Sequence, residues 1–183
     1  MKKILLLFFL INFNNIALSS IKESVINNLI NTDNLSFKFE QNINGEVETG
    51  NCIIEYPKKI FCKYEKSNNK IIVANGKSVV IKTKKGSYYR YSIKSTPLNY
   101  ILDKNFLINE IKKLNERVID NKFINFTILK DENEINIFFD IQNFDLIGWQ
   151  TLDIYQNLNI TYLSFLKKNQ ILKKDIFKLP KIN

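Results

Sequence analysis

The sequence predicts a mainly β fold of α+β type, a long antiparallel sheet curled into an open half-barrel with a few short helices against it. Two observations carry this. Apolar residues alternate with polar ones over most of the chain, as Leu35, Phe37 and Phe39 do with Ser36, Lys38 and Glu40, the period of a strand with one buried face. Short turn signals, Asn44-Gly45, Asn75-Gly76 and Lys85-Gly86, separate successive alternating runs, so each strand pairs antiparallel with the next. The sum is about ten strands in up-and-down order, and accumulated twist makes so long a sheet curl.

The elements follow in order. Residues 20–31 read as a helix: Ser20 with Glu23 forms a capping box, and Ile21, Val25 and Leu29, joined by Ile26 and Ile30, share one apolar face. Asp33-Asn34 breaks it, and the period changes to two. A strand follows Asn44-Gly45 to about Tyr56, and Pro57-Lys58-Lys59 turns the chain into a strand at 60–64. A meander continues through 70–74, 79–83 and the aromatic run 88–93. Ser95-Thr96-Pro97 ends it, where Thr96 can cap a helix and Pro97 can take its first position. Leu98, Ile101 and Leu102, then Phe106, Leu107, Ile111 and Leu114, mark one or two short apolar-faced helices, too short for a layer of their own and placed to cover the mouth of the half-barrel or plug it. Strands resume at 118–129, 134–141, 146–155 and 159–166, with a last short stretch around Phe177 before Pro180.

With 183 residues and a hydrophobic fraction of 45%, the chain can bury one substantial core, and a single folded domain is expected. It contains no histidine, which removes Ser-His and Cys-His catalytic pairs and the usual mixed zinc or copper sites. The carboxylates Asp131, Glu132 and Glu134 share one turn without calcium-loop spacing, and nothing sets Asp140, Asp145 or Asp153 facing another across a cleft. No catalytic residue, metal ligand or cofactor is assigned, and the chain is read as a non-enzyme.

Residues 1–19 have the form of a cleaved secretory signal: Lys2 and Lys3, an apolar run over 4–11, and Ala17-Leu18-Ser19 at the cleavage site. The run is short of the roughly 20 apolar residues that a membrane span needs. No cysteine stands near the cleavage site, so the expected mature form, 20–183, is a soluble exported domain rather than a lipid-anchored one. Losing Lys2 and Lys3 lowers the formal net charge from +9 to +7. The remaining lysines come in scattered pairs such as Lys58-Lys59 and Lys173-Lys174 and make no stripe, so nucleic acid is not an expected partner. Anionic lipid head groups remain compatible with the charge.

A hairpin centred on Pro57 sets Cys52 directly opposite Cys62 on the same face, within reach of a bridge. A disulfide suits the oxidising compartment and is the favoured reading; two small buried thiols facing the cavity are the alternative. The aromatic excess, Phe 14, Tyr 8 and Trp 1, either fills the interior or lines an apolar cavity under the helices of 98–114, and composition does not choose between these.

The order of motifs resembles the LolA family of periplasmic lipoprotein carriers. Phe39-Glu40-Gln41 is similar to the family's Phe-x-Gln strand, Gly50 followed by Tyr56-Pro57-Lys58-Lys59-Ile60 to its glycine, strand and Arg-Pro turn, and residues 71–76 (Ile-Ile-Val-Ala-Asn-Gly) to its strand ending in Asp-Gly. Thr96-Pro97 with Leu98, Ile101 and Leu102 resembles the Thr-Pro helix of its lid, and Trp149, Asp153, Thr161, Leu163, Asn169, Leu172, Phe177 and Pro180 fall at the spacing of its last strands. The resemblance implies an unclosed antiparallel half-barrel of about eleven strands with an N-terminal helix and a short helical lid. It further implies a carrier of acylated lipoproteins, taking them from an inner-membrane lipoprotein-releasing transporter to an outer-membrane receptor, with transient membrane contact and as a monomer. The acyl-chain cavity is then expected from Phe37, Phe39, Ile54, Ile60, Cys62, Tyr64, Val79 and Ile81, and the lid from Thr96, Pro97, Leu98, Ile101 and Leu102. Two departures stand out. Tyr56 occupies the place of an arginine thought to lock the lid, and offers one hydrogen bond but no charge-assisted fork. Cys62 stands where many members have tryptophan, which makes the wall smaller. Other readings of the same fold are a periplasmic lipid-binding or lipoprotein-sensing module; a plain barrel with a filled core is the reading from another class.

Overall fold

The computed structural model describes residues 20–66, 69–152 and 156–182. Residues 1–19, read above as a secretory signal, and Asp153 lie outside the described residues. Helix α1, Ile21–Ile30, begins as its sequence requires: the Glu23 N–H donates to Ser20 Oγ at 3.1 Å and the Ser20 N–H to the Glu23 carboxylate at 3.2 Å. Six strands follow, β1 (Asn34–Ile43), β2 (Glu46–Glu55), β3 (Lys59–Tyr64), β4 (Ile71–Asn75), β5 (Ser78–Lys82) and β6 (Tyr88–Ser92). A 3-10 turn (Ile93–Ser95), α2 (Leu98–Ile101) and α3 (Lys104–Ile111) lead into β7 (Arg117–Ile119), β8 (Phe123–Lys130), β9 (Asn133–Asp140), β10 (Leu146–Leu152) and β11 (Leu158–Lys168).

All eleven strands form one antiparallel sheet in the order β6-β5-β4-β3-β2-β1-β11-β10-β9-β8-β7. Two meanders are joined through the first and last strands, with Phe39 opposite Leu163 and Gln41 opposite Thr161. The edges β6 and β7 do not pair, so the sheet stays unclosed, and the segment carrying α2 and α3 runs from one edge to the other. The first meander turns where its glycines permit: Asn44 and Gly45 both have positive φ, 50° and 91°, as the two-residue hairpin demands.

Three details differ from the sequence reading. The run 118–129 is two strands, because Asp120 and Asn121 take left-handed φ of 51° and 50° and fold it into a hairpin. The stretch around Phe177 is a turn, not a strand. It belongs to a strap, residues 170–182, crossing the outer face of the first meander: the Tyr88 hydroxyl donates to the Pro180 carbonyl at 3.2 Å, and the Lys82 ammonium donates to that of Lys181 at 2.9 Å. Beneath lie Val73 and Val80, 1% and 0% exposed yet outside the main core, since their neighbours Ala74 and Val79 take the inner face. The Thr96 hydroxyl donates back to the Ile93 carbonyl at 2.8 Å and leaves α2 without a side-chain cap; Asp103 caps α3, accepting from the Phe106 N–H at 3.1 Å.

The concave face holds the main core. Val25, Ile26 and Leu29 of α1 and Leu107, Ile108 and Ile111 of α3 pack with Ile124, Phe126, Ile135, Ile137 and Phe139 of the second meander. Burying side chains of this size contributes about 1.5–3 kcal/mol each. This half of the concavity is filled, which confines any free space to the first meander and its junction with β10 and β11.

Candidate functional site

A cavity of about 180 Å³ lies between α2 and the inner face of the sheet. Its strand wall comes from alternate residues: Phe39 on β1, Cys52 on β2, Ile60, Cys62 and Tyr64 on β3, Ile72 on β4 and Trp149 on β10. Pro97, Leu98 and Ile101 form the roof. Gln41, Thr151, Leu152, Asn159 and Thr161 complete the lining at the end of β1, β10 and β11 away from α1.

Gly50 makes part of this wall possible. It stands opposite both Phe39 and Tyr64 on the flanking strands, and the two rings meet edge to face across it at 4.8 Å between centroids. A Cβ at Gly50 would stand 2.2 Å from the Lys63 carbonyl oxygen and 2.7 Å from the Phe39 ring, so only glycine allows the approach. Cys52 and Cys62, directly paired in the β2–β3 ladder with Cα atoms 4.1 Å apart, are joined by a disulfide in the same wall.

The residues expected in the cavity divide into two groups. Phe39, Ile60, Cys62, Tyr64, Pro97, Leu98 and Ile101 line it. Phe37, Ile54, Val79 and Leu102 are buried in the main core instead, Phe37 with its ring edge to face with Trp149 at 6.5 Å. Ile81 is half-buried opposite Ile72, and Thr96 only leads into the roof. Gln41, Ile72, Trp149, Thr151, Leu152, Asn159 and Thr161 were outside the expected set. Their alternation marks an inner face, but only the β1–β11 pairing brings that of β10 and β11 beside β1.

Tyr56 does not hold the lid. Its hydroxyl is buried with no hydrogen-bond partner among the described residues, and burial pushes its pKa well above the ordinary 10.0. Two residues on, Lys58 makes the connection: its N–H donates to the Leu102 carbonyl at 2.6 Å, and its ammonium lies 3.2 Å from the Asp103 carboxylate. On the other side the Tyr100 hydroxyl donates to the Asp131 carboxylate in the β8–β9 turn, which raises the Tyr100 pKa. The lid is thus tied to both meanders.

No charged side chain is among the described residues that line the cavity. The nearest ion pair, Lys70 with Glu48, sits beside the Tyr64 ring, with the ammonium 3.8 Å from its centroid. Burial, and secondarily the Glu48 carboxylate, raises the Tyr64 pKa, so its hydroxyl stays protonated. Among the described residues no cluster of His, Cys, Asp and Glu is arranged to hold a metal ion. A roofed, uncharged, largely apolar space is suited to take up an apolar chain.

No curated protein matches the chain. Among solved structures, it is similar to a LolA superfamily protein from Nitrosomonas europaea, at 9% identity over 87% of this chain and 96% of that one, with a TM-score of 0.48. It is also similar to MucB in the Pseudomonas aeruginosa MucA/MucB complex, at 9% identity over 88% of this chain and 62% of that one, TM-score 0.48. The Mycobacterium tuberculosis lipoprotein LppX is 10% identical over 89% of this chain and 96% of its own, TM-score 0.43. The family model described as outer membrane lipoprotein carrier protein LolA matches residues 31–180, nearly the whole described domain, and the chain belongs to that family.

Proposed function

We infer that this protein is an exported carrier that shields the acyl chains of lipoproteins between the inner membrane and an outer-membrane receptor. The observation that carries this is the cavity itself, an apolar space roofed by Leu98 and Ile101 on a lid that is tied down at its ends rather than built into the sheet. In this reading residues 1–19 are removed on export and 20–183 is the working domain, a monomer that meets both membranes briefly.

Each methylene taken from water contributes about 0.8 kcal/mol, so long chains are held tightly and release needs a competitor. The lid supplies one. Leu98 and Ile101 fill in the empty protein the space that an acyl chain takes in the loaded one, so lid closure and ligand binding oppose each other. At about 180 Å³ the closed cavity is smaller than the roughly 300 Å³ at which ligand pockets usually begin, so loading displaces the lid.

Purified protein is incubated with inner-membrane vesicles, and the soluble fraction is probed for bound triacylated lipoprotein. The wild type is expected to extract lipoprotein one to one; Ile60→Asp and Leu98→Asp, which set a charge in the cavity, are expected not to while keeping their β circular dichroism. Normal extraction by both variants refutes this site. Extraction of free phospholipid alone favours a lipid-binding module of the same fold, and an empty protein refutes the carrier reading.

A further inference from the structure

The inner-face positions nearest the open end of the cavity break the apolar pattern of the rest. The Tyr64 hydroxyl donates to Gln41 Oε1 at 2.9 Å, and Gln41 Nε2 donates to Asn159 Oδ1 at 3.0 Å and lies 3.4 Å from Thr161 Oγ1. Gln41 is thereby held in one orientation by side chains of β3 and β11. The Asn159 amide N–H groups and the Thr151 hydroxyl, on residues facing each other across β10 and β11, have no protein partner among the described residues, and both residues line the cavity. Thr151 is 7% exposed, so what exposure it keeps is toward that space.

Together with the acyl-chain reading above, on which this inference rests, these positions define an orientation. We propose that Thr151 and Asn159 hold the uncharged ester or amide linkage at the head of an acyl chain whose methylenes run toward Ile60, Leu98 and Ile101. The linkage carbonyl accepts from donors that are otherwise unpaired. A bare hydrocarbon lying over those donors keeps solvent from them and offers no acceptor in its place, which is costly. An ionised carboxylate fares worse: no cation is among the described lining residues, and the Lys70 ammonium beside Tyr64 is already engaged by Glu48. The cavity is therefore selective for linkage chemistry as well as for apolar length.

Trp149 lines the cavity and is the chain's single tryptophan, so its fluorescence reports occupancy directly. Brominated chains of one length, which quench a tryptophan they touch, are titrated as the glycerol ester, the N-methylamide, the free carboxylate at pH 8 and the plain alkane. The ester and amide are expected to half-saturate at concentrations at least about tenfold below those of the carboxylate and the alkane. Thr151→Val with Asn159→Leu is expected to abolish that preference by bringing the alkane's half-saturation down toward that of the ester, because the unpaired donors are gone; Thr151→Val alone, which keeps the side-chain shape, serves if the double variant misfolds. Equal binding of all four by the wild type, or a preference that survives in the variants, overturns the inference and leaves the acyl cavity standing. Quenching by none overturns both.

Discussion

Replacing Tyr56 with phenylalanine tests where the lid is anchored. The family arginine position is occupied by a phenol whose oxygen is buried and unpaired, while Lys58 makes the contacts to Leu102 and Asp103. An unsatisfied buried hydroxyl costs about 1–3 kcal/mol, and Tyr56→Phe removes it while keeping the ring against the core. Stability is therefore expected to rise by about 1–2 kcal/mol, or about 2–8 °C in Tm for a domain of this size. The pH dependence gives an independent check. Burial holds the folded Tyr56 pKa well above 10.0, so the unfolded chain ionises first. Its contribution is complete below pH 10 and is lost as pH rises through 10 toward the folded value, by up to about 1.4 kcal/mol per unit. Tyr64 and Tyr100 shift the same way, so among the described residues the wild type loses stability above pH 10 from three phenols and the variant from two. Urea unfolding followed by Trp149 fluorescence at pH 8 and pH 10.5 measures both effects. A loss of more than about 0.5 kcal/mol at pH 8 refutes the reasoning, because it means the hydroxyl has a partner whose removal is felt.

Lys58→Met and Asp103→Asn, alone and combined, are expected to show a coupling of about 0.5–1 kcal/mol in a double-mutant cycle, weakened in 1 M salt, since the pair is only partly buried and asparagine keeps the α3 cap. Both are expected to speed entry of an apolar fluorescent probe, measured by stopped flow. Gly50→Ala forces a Cβ against the Lys63 carbonyl and is expected to cost about 3 kcal/mol in urea unfolding; a near-neutral result contradicts the packing of Phe39 on Tyr64. Reducing the Cys52–Cys62 bridge reopens a loop of sequence separation 10 and is expected to cost about 2–3 kcal/mol, read as the shift of the urea midpoint with and without reductant.

Local signals carry most of this fold. The capping box of Ser20 and Glu23, the Asn44-Gly45 hairpin and the cross-strand placement of Cys52 and Cys62 each depend on residues close in sequence, and each forms as its chemistry dictates. The hairpin at Asp120-Asn121 escapes such a reading because it contains no glycine and sits inside an alternating run; two asparagine-like residues accept positive φ without announcing it. The site is legible by halves for the same reason. Phe39, Ile60, Cys62 and Tyr64 lie within one meander, where alternation alone sorts inner from outer face. Trp149, Thr151, Asn159 and Thr161 join them only through the β1–β11 pairing, a contact between the two ends of the domain. Alternation also overcounts: Phe37, Ile54 and Val79 share the inner face, but core packing fills the space in front of them.

On the carrier reading proposed above, the polar contacts around the lid bear directly on its opening. On one side stand a backbone hydrogen bond and a partly exposed ion pair from Lys58, on the other a single hydrogen bond from Tyr100 to Asp131. Each exchanges for hydrogen bonds to water when broken, so together they contribute only a few kcal/mol, about 1 kcal/mol apiece. Apolar burial outweighs them: Leu98 and Ile101 leave the cavity wall when the lid lifts, and each loses up to about 1.5–3 kcal/mol of burial. An acyl chain entering the same space replaces that burial with its own methylenes. In the proposed carrier, polar ties therefore set which way the lid swings and how fast, while the balance between loaded and empty states rests on an exchange of one apolar surface for another, which keeps a tightly fitting ligand removable by a receptor that offers a comparable surface.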